Sequence, residues 1–289
     1  MKFYEFGDLY RPVIILLPGT CCHWKVNFEK VIPFLAKNFR VVCVSYDGFD
    51  ETEKTVFPDM VTEMEKIENY IKENCGGKIH AAYGCSLRGS LAVLLVQRGN
   101  VHISHAILGS SDLDQEEGIS AKLKAWLIGK ILYGMFQKGK MPGFMKRRLE
   151  KKTVDERLYY DKMLDMFGMN NTRMAFVKQE SIQSQFYSDL VTPIENGISV
   201  YGTTVHIFYA MKMGEKYLER YHRHFENPDI RRHNMQHEEL LICFPEQWAE
   251  EVLRSIIRME VGGIIENNLY IKSLPALKGK NNSHKSCRK

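Results

Sequence analysis

Long hydrophobic runs are missing from this chain. No stretch approaches the roughly 18 consecutive apolar residues a membrane-spanning helix requires, and runs such as Val13 to Leu17 are far too short. Met1 to Leu9 carries Glu5 and Asp8 and lacks a basic start followed by apolar residues, which argues against a secretory leader. The seven cysteines are an odd number and form no paired framework. Several lie inside apolar runs, where a free thiol serves as a small hydrophobe, and a reducing, cytoplasmic setting is expected. Acidic residues are absent from the last seventeen positions, which hold Lys278, Lys280, Lys285, Arg288 and Lys289. The chain has 40 Lys and Arg, five of them in this tail, against 35 Asp and Glu. The net charge of +5 is therefore a property of the tail, not a nucleic-acid-binding face.

What is present is a regular alternation. Val13 to Leu17, ended by Pro18-Gly19, reads as a buried strand. Phe28 to Leu35 has helical spacing, Arg40 to Ser45 is a second strand, and Met60 to Ile71 is an amphipathic helix. Lys78 to Tyr83, Ser90 to Gln97 and His102 to Leu108 continue as strand, helix and strand. Such alternation predicts an α/β fold, a mostly parallel, doubly wound sheet covered on both faces. From Gln115 to Asn196 the pattern is helical and rich in methionine and aromatics. Strand character resumes at Thr204 to Ala210, followed by helices at Gly214 to Phe225 and Pro245 to Arg258. The expected organisation is a core from 1–112 and 197–272, a helical cap insertion at 113–196, and a basic, disordered tail at 273–289.

The chemistry concentrates in Tyr83-Gly84-Cys85-Ser86-Leu87-Arg88-Gly89-Ser90. A buried strand ends, a small-residue helix begins, and a serine sits between them. A turn that sharp strains the serine backbone and aims its hydroxyl away from the sheet. Small neighbours are required because helix and strand approach closely, and the helix N-terminus offers unpaired N–H groups to a developing oxyanion.

This segment resembles the nucleophile elbow of the α/β-hydrolase family, G-x-S-x-G. Gly84 and Ser86 match; Arg88 stands where the second glycine would be, with Gly89 one position later. The segment Thr203 to His237 is also similar to hydrolase-like proteins of anaerobic Firmicutes. The resemblance implies that Ser86 is a nucleophile and that the backbone N–H groups of Leu87 and Thr20 form the oxyanion hole, with Cys21 the alternative to Thr20. It implies His237 as general base, in the frame His237-Glu238-Glu239-Leu240-Leu241 before Pro245, which His233 does not fit. His222 and His224, two apart on a charged helix, read as solvated. For the acid, the family's place after its penultimate strand holds Met213, with Glu215 the nearest carboxylate. Asp112, after an earlier strand, is the other candidate, and both keep the family's chain order.

Cys21, Cys22 and His23 together suggest a metal cluster, but adjacent cysteines do not fill two tetrahedral positions and no companion C-x-x-C exists; no metal and no cofactor are expected. The insertion's Trp126, Met135, Phe136, Met141, Phe144, Met145, Met163, Met166, Phe167, Met169, Met174 and Phe176 are read either as an adaptable lining for an acyl substrate or as the helices' own core. Lys146-Arg147-Arg148 with Lys151-Lys152 reads as a solvated face or a site for an anionic group. The resulting expectation is a serine hydrolase of a small or medium carboxylic ester or thioester, with a small-molecule partner, no nucleic acid and no stable membrane insertion. A non-catalytic apolar-ligand-binding protein on the same scaffold, or an acyltransferase, are the alternatives.

Overall fold

The computed structural model describes residues 1–262 apart from 85, 87, 88, 112, 114, 117 and 167–171. The tail and Asp112, Leu87 and Arg88 therefore lie outside the described residues. Seven strands form one sheet: β1 (Lys2–Phe6), β2 (Val13–Leu17), β3 (Arg40–Ser45), β4 (Lys78–Gly84), β5 (His102–Leu108), β6 (Thr204–Ala210) and β7 (Asp229–His233). Their order is β1-β3-β2-β4-β5-β6-β7. β1 runs antiparallel to β3, and every other pair is parallel. The expected mostly parallel sheet is present.

Two strands escape sequence reading. β1 pairs Lys2 with Ser45 and Phe6 with Val41 at one edge. β7 pairs His206 with Asp229 and Ala210 with His233 at the other. Both are five residues long and carry charged positions, as edge strands do. Neither forms the apolar run that marks β2 to β6.

The single helix expected over 28–35 is two short ones, α1 (Trp24–Phe28) and α2 (Ile32–Leu35). Pro33 lies in the first turn of α2, where its missing N–H costs nothing and a new helix starts. α3 (Met60–Cys75) is capped by Asp59, which accepts from the Thr62 N–H at 2.9 Å. It ends at Gly76 in the left-handed conformation. α4 (Gly89–Arg98) buries Gly89 to Val96 and is apolar nearly all round. α3 and α4 cover one face of the sheet. α1, α2 and α11 (Pro245–Gly262) cover the other, with Trp248, Val252 and Ile256 pointing inward.

Between β5 and β6 lie α5 (Gly118–Lys138), α6 (Gly143–Glu150), α7 (Val154–Met166) and α8 (Gln179–Val191). α9 (Glu215–His224) and α10 (Glu239–Cys243) flank β7. Of the methionines and aromatics named above, Met135, Phe136 and Met174 are buried in the main core. Trp126 and Phe176 are exposed. His224, expected to be solvated, is buried, and its Nδ1 lies 2.8 Å from the Glu195 carbonyl. Its helix face turns toward the chain leaving α8, which spacing on a charged helix does not reveal. No helix among the described residues is long and apolar enough to cross a membrane.

Candidate active site

β2 and β4 are neighbours although β3 separates them in sequence, so the connections leave to opposite sides and open a crevice at their carboxyl ends. Register aligns Leu17 with Gly84 and Gly84 with Leu108. The loops that follow carry Thr20, Ser86 and Ser110, and the chain after β7 brings His237 to the same edge.

Ser86 is 7% exposed and has φ +58°. A left-handed serine costs roughly 1–2 kcal/mol and persists only where its surroundings hold it. Ser86 Oγ lies 2.8 Å from His237 Nε2, although the two are 151 residues apart in sequence. Close approach behind the turn is enforced by Gly89: a Cβ there would lie 1.7 Å from Ser111 Oγ.

The surroundings include a carboxylate whose role the sequence does not reveal. Glu238 follows His237, also has positive φ (+53°), and is 5% exposed. Its Oε1 accepts from the Ser86 N–H at 2.8 Å and the Ser110 N–H at 2.9 Å. Its Oε2 accepts from the Tyr83 hydroxyl at 2.7 Å. Glu238 thus ties the elbow, the β5 exit and the histidine loop together from below. Gly109 makes room for it, since a Cβ there would lie 2.1 Å from Glu238 Oε1. Adjacent acidic residues ordinarily signal a solvated loop, and only the backbone turn at Glu238 points it inward.

The β2–α1 loop is equally constrained. The Gly19 N–H donates to Asn27 Oδ1 at 2.8 Å. Cys21, at φ +57°, donates its N–H to Gln185 Oε1 of α8 at 2.7 Å. The alternative donor Cys21 is therefore already engaged, whereas the N–H of the buried Thr20 makes no hydrogen bond among the described residues. α7 touches the histidine loop as well: the Tyr159 hydroxyl donates to the His237 carbonyl at 2.6 Å. Burial, first of all, pushes that phenol's pKa up. Glu215 is exposed in the first turn of α9, and Met213 lies in a 3-10 turn just before it. Among the described residues no group of three His, Cys, Asp or Glu side chains is placed to hold a metal ion.

A second polar cluster lies across the sheet. His105 Nδ1 is 3.0 Å from His206 Nε2, and His206 Nδ1 is 2.9 Å from Asp229 Oδ2. Burial, then the neighbouring His206 and His80, pushes His105 down to about 3. Burial also lowers His206, against the pull of Asp229.

A sequence profile described as the alpha/beta hydrolase fold matches residues 12–210. No curated protein sequence matches the chain. Among solved structures, an alpha/beta hydrolase family protein from Desulfitobacterium hafniense superimposes with a TM-score of 0.70 at 17% identity, covering 89% of this chain and 100% of its own. The enol-lactonase from Burkholderia xenovorans LB400 gives 0.65 at 14% identity, covering 89% and 96%. A thermophilic esterase from Thermogutta terrifontis gives 0.64 at 16% identity, covering 88% and 93%. At these identities the likeness is one of fold.

Proposed function

Because this chain belongs to the alpha/beta hydrolase fold family, we propose that it is a serine hydrolase that cleaves a small or medium carboxylic ester or thioester through an acyl-enzyme on Ser86. The observation that carries the reading is the 2.8 Å contact of Ser86 Oγ with His237 Nε2 at a left-handed strand-to-helix turn. A serine hydroxyl is a weak nucleophile unless an adjacent base accepts its proton in the transition state.

In this mechanism Ser86 Oγ attacks the substrate carbonyl as His237 Nε2 takes the hydroxyl proton. The Thr20 and Leu87 N–H groups hold the tetrahedral oxyanion, a role supported by the uncommitted Thr20 donor. His237 returns the proton to the leaving alcohol or thiol. Water, deprotonated by His237, then attacks the acyl carbon and releases the acid and Ser86. Asp112 or Glu215 orients the imidazole; the exposure of Glu215 favours Asp112. The helices of 113–196 act as the cap. Gln185 and Tyr159, which bond the Thr20–Cys21 loop and the His237 carbonyl, support that reading.

The test is labelling of the purified protein with a fluorophosphonate, followed by peptide mapping. Stoichiometric modification at Ser86, abolished by Ser86→Ala and strongly slowed by His237→Ala, is the expected result. Folded protein that takes no label, or Ser86→Ala protein that retains esterase turnover, overturns the assignment.

A further inference from the structure

Before Met135 and Phe136 enter the core, the N-terminal turns of helix α5 invert the usual pattern of a surface helix. They turn small residues inward, Ala121, Ala125 and Gly129, and a Cβ at Gly129 would lie 2.4 Å from Gln183 Cγ on α8. Large apolar side chains face out: Ile119 is 85% exposed, Leu123 61%, Trp126 48%, Leu127 51% and Ile131 37%. These positions fall on one stripe at helical spacing. A contiguous apolar strip left open to water marks an interaction surface.

Charge identifies what it meets. α5 holds Lys122, Lys124, Lys130 and Lys138 and no carboxylate. Across residues 118–152 there are ten Lys and Arg and one acidic residue, Glu150. Two of these cations are paired by acids that flank the segment, Lys124 with Glu116 and Lys152 with Glu156; the segment itself still carries a net positive charge. Lys130 Nζ sits 5.1 Å from the centroid of the Trp126 ring, beside the strip. Lysines can lay their methylene stems along apolar surface and keep the ammonium at a polar boundary. A second copy would bring like charge against this segment. An anionic lipid surface offers both an apolar interior for the strip and negative headgroups for its rim.

We propose that α5 docks the protein peripherally on an anionic lipid bilayer, lying in the plane of the interface with Leu123 and Trp126 inserted. The helix leaves the β5 carboxyl edge, where Ser86 also sits. Its packing partner α8 supplies the Gln185 bond to Cys21. Docking stands independently of the chemistry; that the bilayer also supplies an acyl-chain substrate rests on the hydrolase reading.

The experiment is flotation of the full-length protein with phosphatidylcholine vesicles, with and without phosphatidylglycerol. Trp24 and Trp248 are buried, so a blue shift of tryptophan emission on binding reports Trp126. The expected result is flotation with the anionic vesicles only, weakened by salt and accompanied by that blue shift. Leu123→Glu with Trp126→Glu should weaken partition about a hundredfold or more, since two inserted apolar side chains are lost. Both positions are exposed, so the thermal melt should be unchanged. Ser86→Ala should bind as the parent does; if it binds while the parent hydrolyses no vesicle or soluble ester, the hydrolase reading fails and docking stands. Absence of flotation overturns the proposal. So does flotation unaffected by the double substitution, which would assign binding to the basic tail. A dimer dispersed by Trp126→Glu would assign the strip to a second copy and overturn it equally.

Discussion

Replacing Glu238 with alanine removes the acceptor for three buried donors at once: the N–H groups of Ser86 and Ser110 and the Tyr83 hydroxyl. A buried donor left without a partner costs about 1–3 kcal/mol. Water entering the space vacated by the side chain recovers part of that, which sets the expected loss at about 3–5 kcal/mol, a large fraction of ordinary domain stability. Glutamine has the same shape, and its amide oxygen can keep both N–H bonds while its NH2 donates to Tyr83. Its loss should be nearer about 1–2 kcal/mol, the difference between a charged and a neutral acceptor. Urea unfolding followed by circular dichroism gives both values from shifts in the midpoint at constant slope. The turn at Ser86 should loosen in the same order, so fluorophosphonate labelling should slow more in Glu238→Ala than in Glu238→Gln. An alanine variant within about 0.5 kcal/mol of the parent, the size of an ordinary surface change, would refute the claim that this carboxylate holds the elbow.

Two further perturbations follow from the same coordinates. His105, His206 and His233 all have pKa values lowered chiefly by burial, His105 to about 3. Each binds its proton more weakly in the fold than in the unfolded chain, where a histidine titrates near about pH 6.5. Stability should therefore fall as pH drops below about 6.5, with His105 contributing up to about 1.4 kcal/mol per pH unit between there and its folded value, and His206 and His233 adding in the same direction. Denaturant midpoints at neutral and mildly acid pH measure this slope, and His105→Leu should flatten it; an unchanged slope in that variant removes His105 from the account. Gly89→Ala would drive a methyl into Ser111 Oγ, which is fully buried. An overpacking loss of about 1–3 kcal/mol is expected, with weaker labelling of Ser86; a variant as stable as the parent would show that β5 and α4 have room to separate.

Sequence alone determined the parts of this protein whose physics is local. A buried parallel strand is largely apolar on both faces, so β2 to β6 announce themselves as runs even where His105 and His206 interrupt them. A tight strand-to-helix turn demands small neighbours and a helix start, so Gly84, Ser86 and Gly89 mark its place. Where strand-like runs stop after β5 and resume at β6, the chain between them is helical in α5 to α8. Tertiary structure decided whatever depends on meetings across the chain. β1 and β7 are edge strands, half-solvated and charged, and acquire their character only from β3 and β6. His224 is buried because the segment after α8 returns beside it. Glu238 and Gln185 have no signature, because nothing in a polar side chain says which distant N–H it will accept from. The exposed strip of α5 is also a tertiary fact. An apolar helix is expected to bury its large side chains, and here close packing of Ala121, Ala125 and Gly129 against α8 turns Leu123 and Trp126 outward instead.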